Sequence, residues 1–206
     1  MEFRLPTVDG KNVEFTQKSP QQLTVVCFLG AECPLARLYG PRLNKLAAEY
    51  CDKNVEFVGV NSNLQDSTED VRAYAKKYGI TFPLAKDYDN SIADRYGAKR
   101  TPEVFVIDSE LKIRYRGRID DQYLPGKSRN KVSKEDLKDA LQELLAGEPV
   151  SNPVTQPNGC LIGRAKKTDV NTELTFAKHI SRILNKHCVE CHRPGEIGPF
   201  SLTDYD

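Results

Sequence analysis

No apolar run in the 206-residue chain approaches the length needed to cross a bilayer. Neither sign of charge dominates. The 30 Lys and Arg balance 29 Asp and Glu, leaving a net charge of +1, so nothing favours nucleic acid or an anionic membrane surface as a partner. Neither a signal peptide nor a lipid-attachment motif opens the chain. Met1 runs directly into Glu2-Phe3-Arg4-Leu5-Pro6, and an upstream part is expected to have been cut away. Six cysteines are too few to frame a chain of this length with disulfides. Methionine occurs once, as Met1, so no internal thioether is available as a ligand. What remains is length enough for one domain with a real core plus something smaller.

The stretch Val25-Val26-Cys27-Phe28-Leu29-Gly30-Ala31-Glu32-Cys33-Pro34 carries the chemistry. Val25 to Leu29 reads as a buried strand. The strand breaks at Gly30, and a helix starts at Pro34, where a missing N–H costs nothing. Cys33 therefore sits at or beside the N-cap. Unpaired amides and the positive end of the helix dipole favour a thiolate there, and the thiolate is the nucleophilic form. Arg37, one turn on, and the more distant Arg118 are further candidates for lowering the thiol pKa, and Glu32 opposes them. The other reading of Cys33 is a small residue at a fixed turn.

Along the chain, helical spacing of Leu35, Leu38, Tyr39, Leu43, Leu46, Ala47 and Tyr50 continues the first helix through Gly40-Pro41 to Cys51, with a kink expected at the proline and Cys51 read as small and buried. Val55–Asn61 is a second strand. Asp66 or Ser67 caps a helix closed by Gly79, and Asn90 caps a short one ending at Gly97. Glu103–Asp108 is a further strand and Leu111–Arg116 returns with period-two alternation, so the two form an antiparallel hairpin. A loop from Gln122 to Lys131 follows, and Ser133–Asp136 caps a helix with Leu137, Ala140, Leu141, Leu144 and Leu145 on its buried stripe. Strands alternating with helices predict an α/β domain, a central mixed sheet flanked by helices. That domain spans 1–148. Composition then shifts to Pro, Asn, Thr, Gln and Lys, giving a linker over 149–172 that carries Cys160. A last segment, 173–206, holds an amphipathic helix from Thr175 to His187.

The strand–turn–Cys–Pro–helix pattern resembles the thioredoxin-like superfamily, in particular its redoxin branch of alkyl hydroperoxide reductase and thiol-specific antioxidant type. Phe3-Arg4-Leu5-Pro6-Thr7-Val8-Asp9-Gly10-Lys11 is similar to the opening of redoxin domains, and Thr101-Pro102-Glu103-Val104-Phe105-Val106-Ile107-Asp108 to their strand opened by a cis-proline. The resemblance implies that Pro102 is cis and lies against Cys33, and that the Thr101 backbone offers hydrogen bonds to an extended substrate peptide. Two positions depart from the pattern. Ala36 stands where thioredoxins have their second cysteine, and Gly30 stands where peroxiredoxins have Thr or Ser. Cys160 is either the resolving partner that Ala36 is not, or a structural or free thiol.

Cys188-Val189-Glu190-Cys191-His192 is the attachment pattern for c-type haem, with two thiols for the vinyl groups and His192 for the iron. With the helix before it and Arg193-Pro194-Gly195 after it, it resembles the start of a cytochrome c domain. The alternatives are zinc held with His187 or His179, or a bare dithiol. The chain ends soon after the motif, so the haem is expected in the full-length protein and not in this piece; the thioredoxin-like domain itself needs no cofactor. The joined arrangement resembles bacterial redoxin–cytochrome fusions and implies an exported, periplasmic or otherwise extracytoplasmic protein. Two functions follow. One is a thiol oxidoreductase acting through Cys33 on a protein disulfide or a peroxide. The other is an electron-transfer or redox-sensing protein whose haem domain is active while the thioredoxin-like domain docks a partner.

Overall fold

Leu23, Val25, Val26, Cys27 and Phe28 are all buried, four of them with no exposed surface, and they form the strand around which the fold assembles. In the computed structural model, residues 3–16, 22–124, 127–164, 173–198 and 200–203 are described. The chain divides into two units, 1–165 and 166–206.

The first unit opens with a hairpin, β1 (Phe3–Pro6) and β2 (Asn12–Phe15). Then come β3 (Leu23–Phe28), α1 (Pro34–Tyr50), β4 (Val55–Asn61), α2 (Thr68–Tyr78), β5 (Leu84–Lys86) and α3 (Ser91–Tyr96). The second half adds β6 (Arg100–Thr101), β7 (Glu103–Ile107), β8 (Ile113–Gly117), the two-residue strands β9 (Tyr123–Leu124) and β10 (Lys127–Ser128), α4 (Asp136–Leu145) and β11 (Cys160–Leu161). Five strands make one mixed sheet in the order β5-β4-β3-β7-β8. The first three are parallel, β7 runs antiparallel to β3, and β8 runs antiparallel to β7. Successive side chains of a strand point to opposite faces. Val25 and Cys27 accordingly pack with Leu43, Leu46, Leu137 and Leu141, from α1 and α4. Val26 and Phe28 pack with Ile92, Tyr96 and Phe105 and the β1–β2 hairpin. The Phe28, Tyr96 and Phe105 rings meet edge to face with centroids 5.4–5.8 Å apart, a favoured aromatic geometry.

The local signals resolve cleanly in places. Ser67 caps α2 in a capping box with Asp70, and Gly79 closes it in the left-handed region. α1 runs through Pro41 without ending. Cys51 differs from expectation: it follows α1 in a short 3₁₀ turn and is exposed. α4 begins at Asp136 with Glu135 at the cap, because the Ser133 hydroxyl bonds Asp121 instead. Arg118 is ion-paired with Asp136.

The stretch read as a linker differs most. From Val150 to Arg164 the chain lies along the domain. Arg116 N–H donates to Pro153 O at 2.9 Å and Thr155 N–H to Arg116 O at 3.0 Å. The Thr155 hydroxyl meets Tyr115 Oη at 2.6 Å. Ile162 is buried in the Phe28–Phe105 cluster, and β11 pairs antiparallel with β6.

In the second unit, Thr175 caps a π-helical turn, Phe176–Ile180, that continues as α5 (Ser181–His187). None of its side chains is buried: Phe176, Ile180 and Ile183 are 43–55% exposed. Among the described residues no helix is long and apolar enough to cross a membrane.

Candidate active site

Cys33 occupies the N-cap of α1, with Pro34 following as the first helical residue. The turn that presents it is braced from several sides. Cys33 N–H donates to Gly30 O at 3.3 Å. Ala31 N–H donates to Asp66 Oδ2 at 2.9 Å. Arg37 Nε donates to Ala31 O at 2.9 Å, and its other nitrogen pairs with Glu32. The Arg37 guanidinium thus ties the turn together.

The Cys33 sulfur lies 2.8 Å from the carbonyl oxygen of Thr101, and the Thr101–Pro102 bond is cis. Cys33 itself is only 3% exposed, because β11 covers it: the register sets Cys160 opposite Thr101 and Leu161 opposite Arg100. The strand edge expected to receive a substrate peptide is therefore occupied by the chain's own segment. The two departures from the family pattern are both met here. Position 36 has no cysteine, and Cys160 arrives beside Cys33 from a distant part of the chain. Position 30 has no hydroxyl, yet a Cβ on Gly30 would stand 2.9 Å from Thr101 Oγ1 and 2.6 Å from Asn63 Nδ2. A hydroxyl reaches that neighbourhood from β6.

The electrostatics separate the two sulfurs. Burial pushes the Cys33 thiol up, but hydrogen bonding from Thr101, the Ala36 backbone and Cys160 outweighs it and holds the thiol below the ordinary cysteine range. Thr101 Oγ1 is buried and has no hydrogen-bond partner of its own among the described residues, which leaves its O–H free to serve a thiolate. Cys160 moves the other way. Burial, the hydrogen bond to Cys33 and the charge of Cys33 push it up to about 11. Two interacting sulfurs that share a proton titrate as a pair.

Beneath the turn, at the ends of β4 and β5, lies a buried polar network that sequence reading missed. Asp66 Oδ2 accepts from Ala31 N, Asn61 Nδ2 and Asn63 Nδ2. Lys86 Nζ donates to Asn61 Oδ1 at 2.7 Å and to the Asn63 carbonyl. Asn63 Oδ1 accepts from Gly163 N at 3.0 Å, which joins the network to the covering segment. The signal was present: the apolar run of β4 gives way at once to Asn61-Ser62-Asn63, at the carboxyl end of a parallel strand where sites form in open α/β sheets.

In the second unit, Cys188 is half-buried and Cys191 exposed. His192 Nδ1 lies 3.0 Å from Phe200 O, and the two rings lie tilted against each other with centroids 4.6 Å apart. Among the described residues no group of three or more His, Cys, Asp or Glu could hold a metal ion.

Comparison with known proteins agrees with this geometry. A hypothetical protein from Sinorhizobium meliloti 1021 has a similar crystal structure, with 31% identity over 81% of this chain and 92% of that one and a TM-score of 0.73. A Chlorobium tepidum protein described as a candidate thiol:disulfide interchange protein DsbE matches 70% of this chain and 94% of its own at 25% identity and a TM-score of 0.57. The thiol-disulfide oxidoreductase ResA of Halalkalibacterium halodurans is 28% identical over 111 residues, 54% of this chain; the match spans only 61% of ResA. The profile of the AhpC/TSA family matches residues 1–116. With more than half of its length matched, the chain belongs to the AhpC/TSA family and has a thioredoxin-like fold.

Proposed function

We propose that this protein is a thiol-disulfide oxidoreductase whose redox pair is Cys33 and Cys160. The observation that carries the reading is the register that seats Cys160 on β11 opposite Thr101, whose carbonyl oxygen lies 2.8 Å from the Cys33 sulfur. Kinship with ResA supports the reaction class. In the cycle two thiols become one disulfide: the sulfurs give up two electrons and two protons to an external disulfide, or take them from external thiols. Cys160 holds its proton while Cys33 is charged. When the Cys33 sulfur loses its charge, the push on Cys160 is gone and it ionises more readily. Pro102 and the Thr101 carbonyl fix the sulfur's position, and the Thr101 hydroxyl favours its anion. The burial of Cys33 beside that hydroxyl also favours a second substrate, a hydroperoxide small enough to reach it, which would give a sulfenic acid for Cys160 to resolve.

The test is a thiolate absorbance titration with turnover assays. Wild type is expected to show a step below the ordinary cysteine pKa of about 8.5 that disappears in Cys33→Ser. In that variant Cys160 falls from about 11 toward the ordinary value. Cys33→Ser and Cys160→Ser both fall to the uncatalysed background with a small disulfide; a peroxide assay on the same proteins separates the two substrates. Full turnover without Cys33 would refute the assignment and favour the reading in which the thioredoxin-like domain only docks a partner.

We also propose that Cys188, Cys191 and His192 hold c-type haem in the full-length protein. Cys188 and Cys191 have the spacing for the two thioether bonds. With Nδ1 of His192 engaged at the Phe200 carbonyl, Nε2 remains for the iron. Bound there, the haem would supply one-electron transfer. Haem attachment and disulfide exchange both support an extracytoplasmic location. The natural gene product, made with the cytochrome c maturation machinery, is expected to keep its haem absorbance after acid–acetone extraction. Colourless protein would overturn the proposal.

A further inference from the structure

We propose that external thiols exchange with the oxidised protein at Cys160, with Cys33 as the internal leaving group. This reverses the arrangement in which the helix-capping cysteine meets the partner, and it rests on the reading that Cys33 and Cys160 form a disulfide. The argument is one of access. A thiolate attacks a disulfide sulfur from the side opposite the bond it breaks, so the target sulfur must have an open face behind it. Cys33 has none. It is 3% exposed, backed by the α1 N-terminus and the Thr101 carbonyl 2.8 Å away, and roofed by β11. Cys160 is exposed, on the outermost strand of that roof, and its neighbour Leu161 is 67% exposed.

The roof is built to stay. Arg100 donates to Gly159 O at 2.6 Å and Asn158 Nδ2 to Tyr123 O at 3.0 Å. Ile162 N–H donates to Lys99 O at 3.0 Å and Leu64 N–H to Gly163 O at 3.0 Å. Arg164 reaches Ala98 O and Asp94. An incoming thiol meets this anchored strand first. The leaving-group preference points the same way, because the thiol of lower pKa departs faster and that thiol is Cys33.

The step balances as follows. A thiolate RS⁻ forms a bond to the Cys160 sulfur, and the Cys33–Cys160 bond breaks with its electron pair on Cys33. A second RS⁻ attacks the R sulfur of the mixed disulfide. RSSR leaves, and Cys160 takes up a proton. Two external thiols are oxidised and one protein disulfide is reduced.

The experiment uses the whole chain. It is first oxidised, and the Cys33–Cys160 disulfide is confirmed by peptide mapping; its absence would sink the underlying reading before any thiol is added. Glutathione is then added, the reaction is quenched with acid at short times, and glutathionylated peptides are mapped. At least tenfold more glutathione on the Cys160 peptide than on the Cys33 peptide is expected. Equal or greater labelling of Cys33 would overturn the proposal. Single variants give a second readout. In Cys33→Ser, Cys160 is expected to react with glutathione disulfide at pH 9 at least tenfold faster than Cys33 does in Cys160→Ser, and the reverse order would count against it.

Discussion

Gly159→Ala is expected to slow formation of the Cys33–Cys160 disulfide on the order of 100-fold, the penalty that about 1 Å of misplacement exacts from a positioned reaction. The residue touches neither sulfur. Its φ is +138°, a conformation L side chains rarely adopt, and an added Cβ would stand 2.1 Å from Thr101 O and 2.8 Å from Thr101 C. Both obstacles are backbone and cannot swing away. β11 must therefore lift from β6, carrying Cys160 off Cys33 and weakening the hydrogen bonds that favour the Cys33 thiolate. Two measurements check this: the rate of disulfide formation under a mild oxidant, expected to fall, and the rate of Cys33 alkylation, expected to rise as the roof opens. Gly10→Ala is the control. It also has a left-handed φ, +86°, but nothing lies within 4 Å of its added Cβ. It should lower stability by about 1–2 kcal/mol and leave the disulfide rate unchanged. A disulfide rate unaltered in Gly159→Ala would mean the covering strand does not set the approach of the two sulfurs.

The contrast between these glycines bears on what could be read from the sequence. The strand from Val25 and the helix opened by Pro34 stand out because burial on both faces demands an unbroken apolar run and a helix start has its own chemistry. The same holds for the hairpin after Thr101-Pro102, whereas the cis bond at Pro102 and its place against Cys33 were implied by the resemblance to the thioredoxin-like superfamily alone. The docking of 150–164 was not legible. Its attachments are mostly backbone hydrogen bonds to the edges of β8 and β6, such as Arg116 N–H to Pro153 O, and any side chains permit those. The side chains that anchor it, Thr155, Asn158, Ile162 and Arg164 among them, are mostly polar and make no apolar periodicity, so its Pro-, Asn- and Thr-rich composition looks like a linker. Cys160 consequently had no visible address. The buried network around Asp66 was hidden for a different reason: Asn, Asp and Lys at strand ends are usually solvated, and only the closing of the Gly30–Cys33 turn and of Gly163 over them takes them from water.

Asp66→Ala is expected to lower stability by about 3–5 kcal/mol, the range for breaking a buried, hydrogen-bonded charge cluster by removing one partner. Asp66 is 1% exposed, and its Oδ2 serves three donors: Ala31 N, Asn61 Nδ2 and Asn63 Nδ2. Without it, Ala31 N and Asn63 Nδ2 lose their acceptor and Asn61 Nδ2 keeps only the Leu29 carbonyl, each a desolvation loss, and the cysteine turn loses its tether to β4. The pH dependence gives the cluster a signature that packing loss alone would lack. Burial lowers the Lys86 pKa, and the carboxylates of Asp66, Asp87 and Asp70 oppose that fall, Asp66 most strongly. Removing Asp66 drops Lys86 further below the unfolded value of about 10.4. Between its folded pKa and that value the unfolded chain then binds more protons than the native one, so stability rises with pH. Urea unfolding of the Ala variant should therefore show a deficit that is largest at neutral pH and narrows toward pH 10. Asp66→Asn, which keeps an acceptor and the volume but not the charge, should recover part of the stability and retain the slope. A deficit that does not change with pH would mean that Lys86 is charged and satisfied without Asp66, and that the network holds the turn through its hydrogen bonds alone.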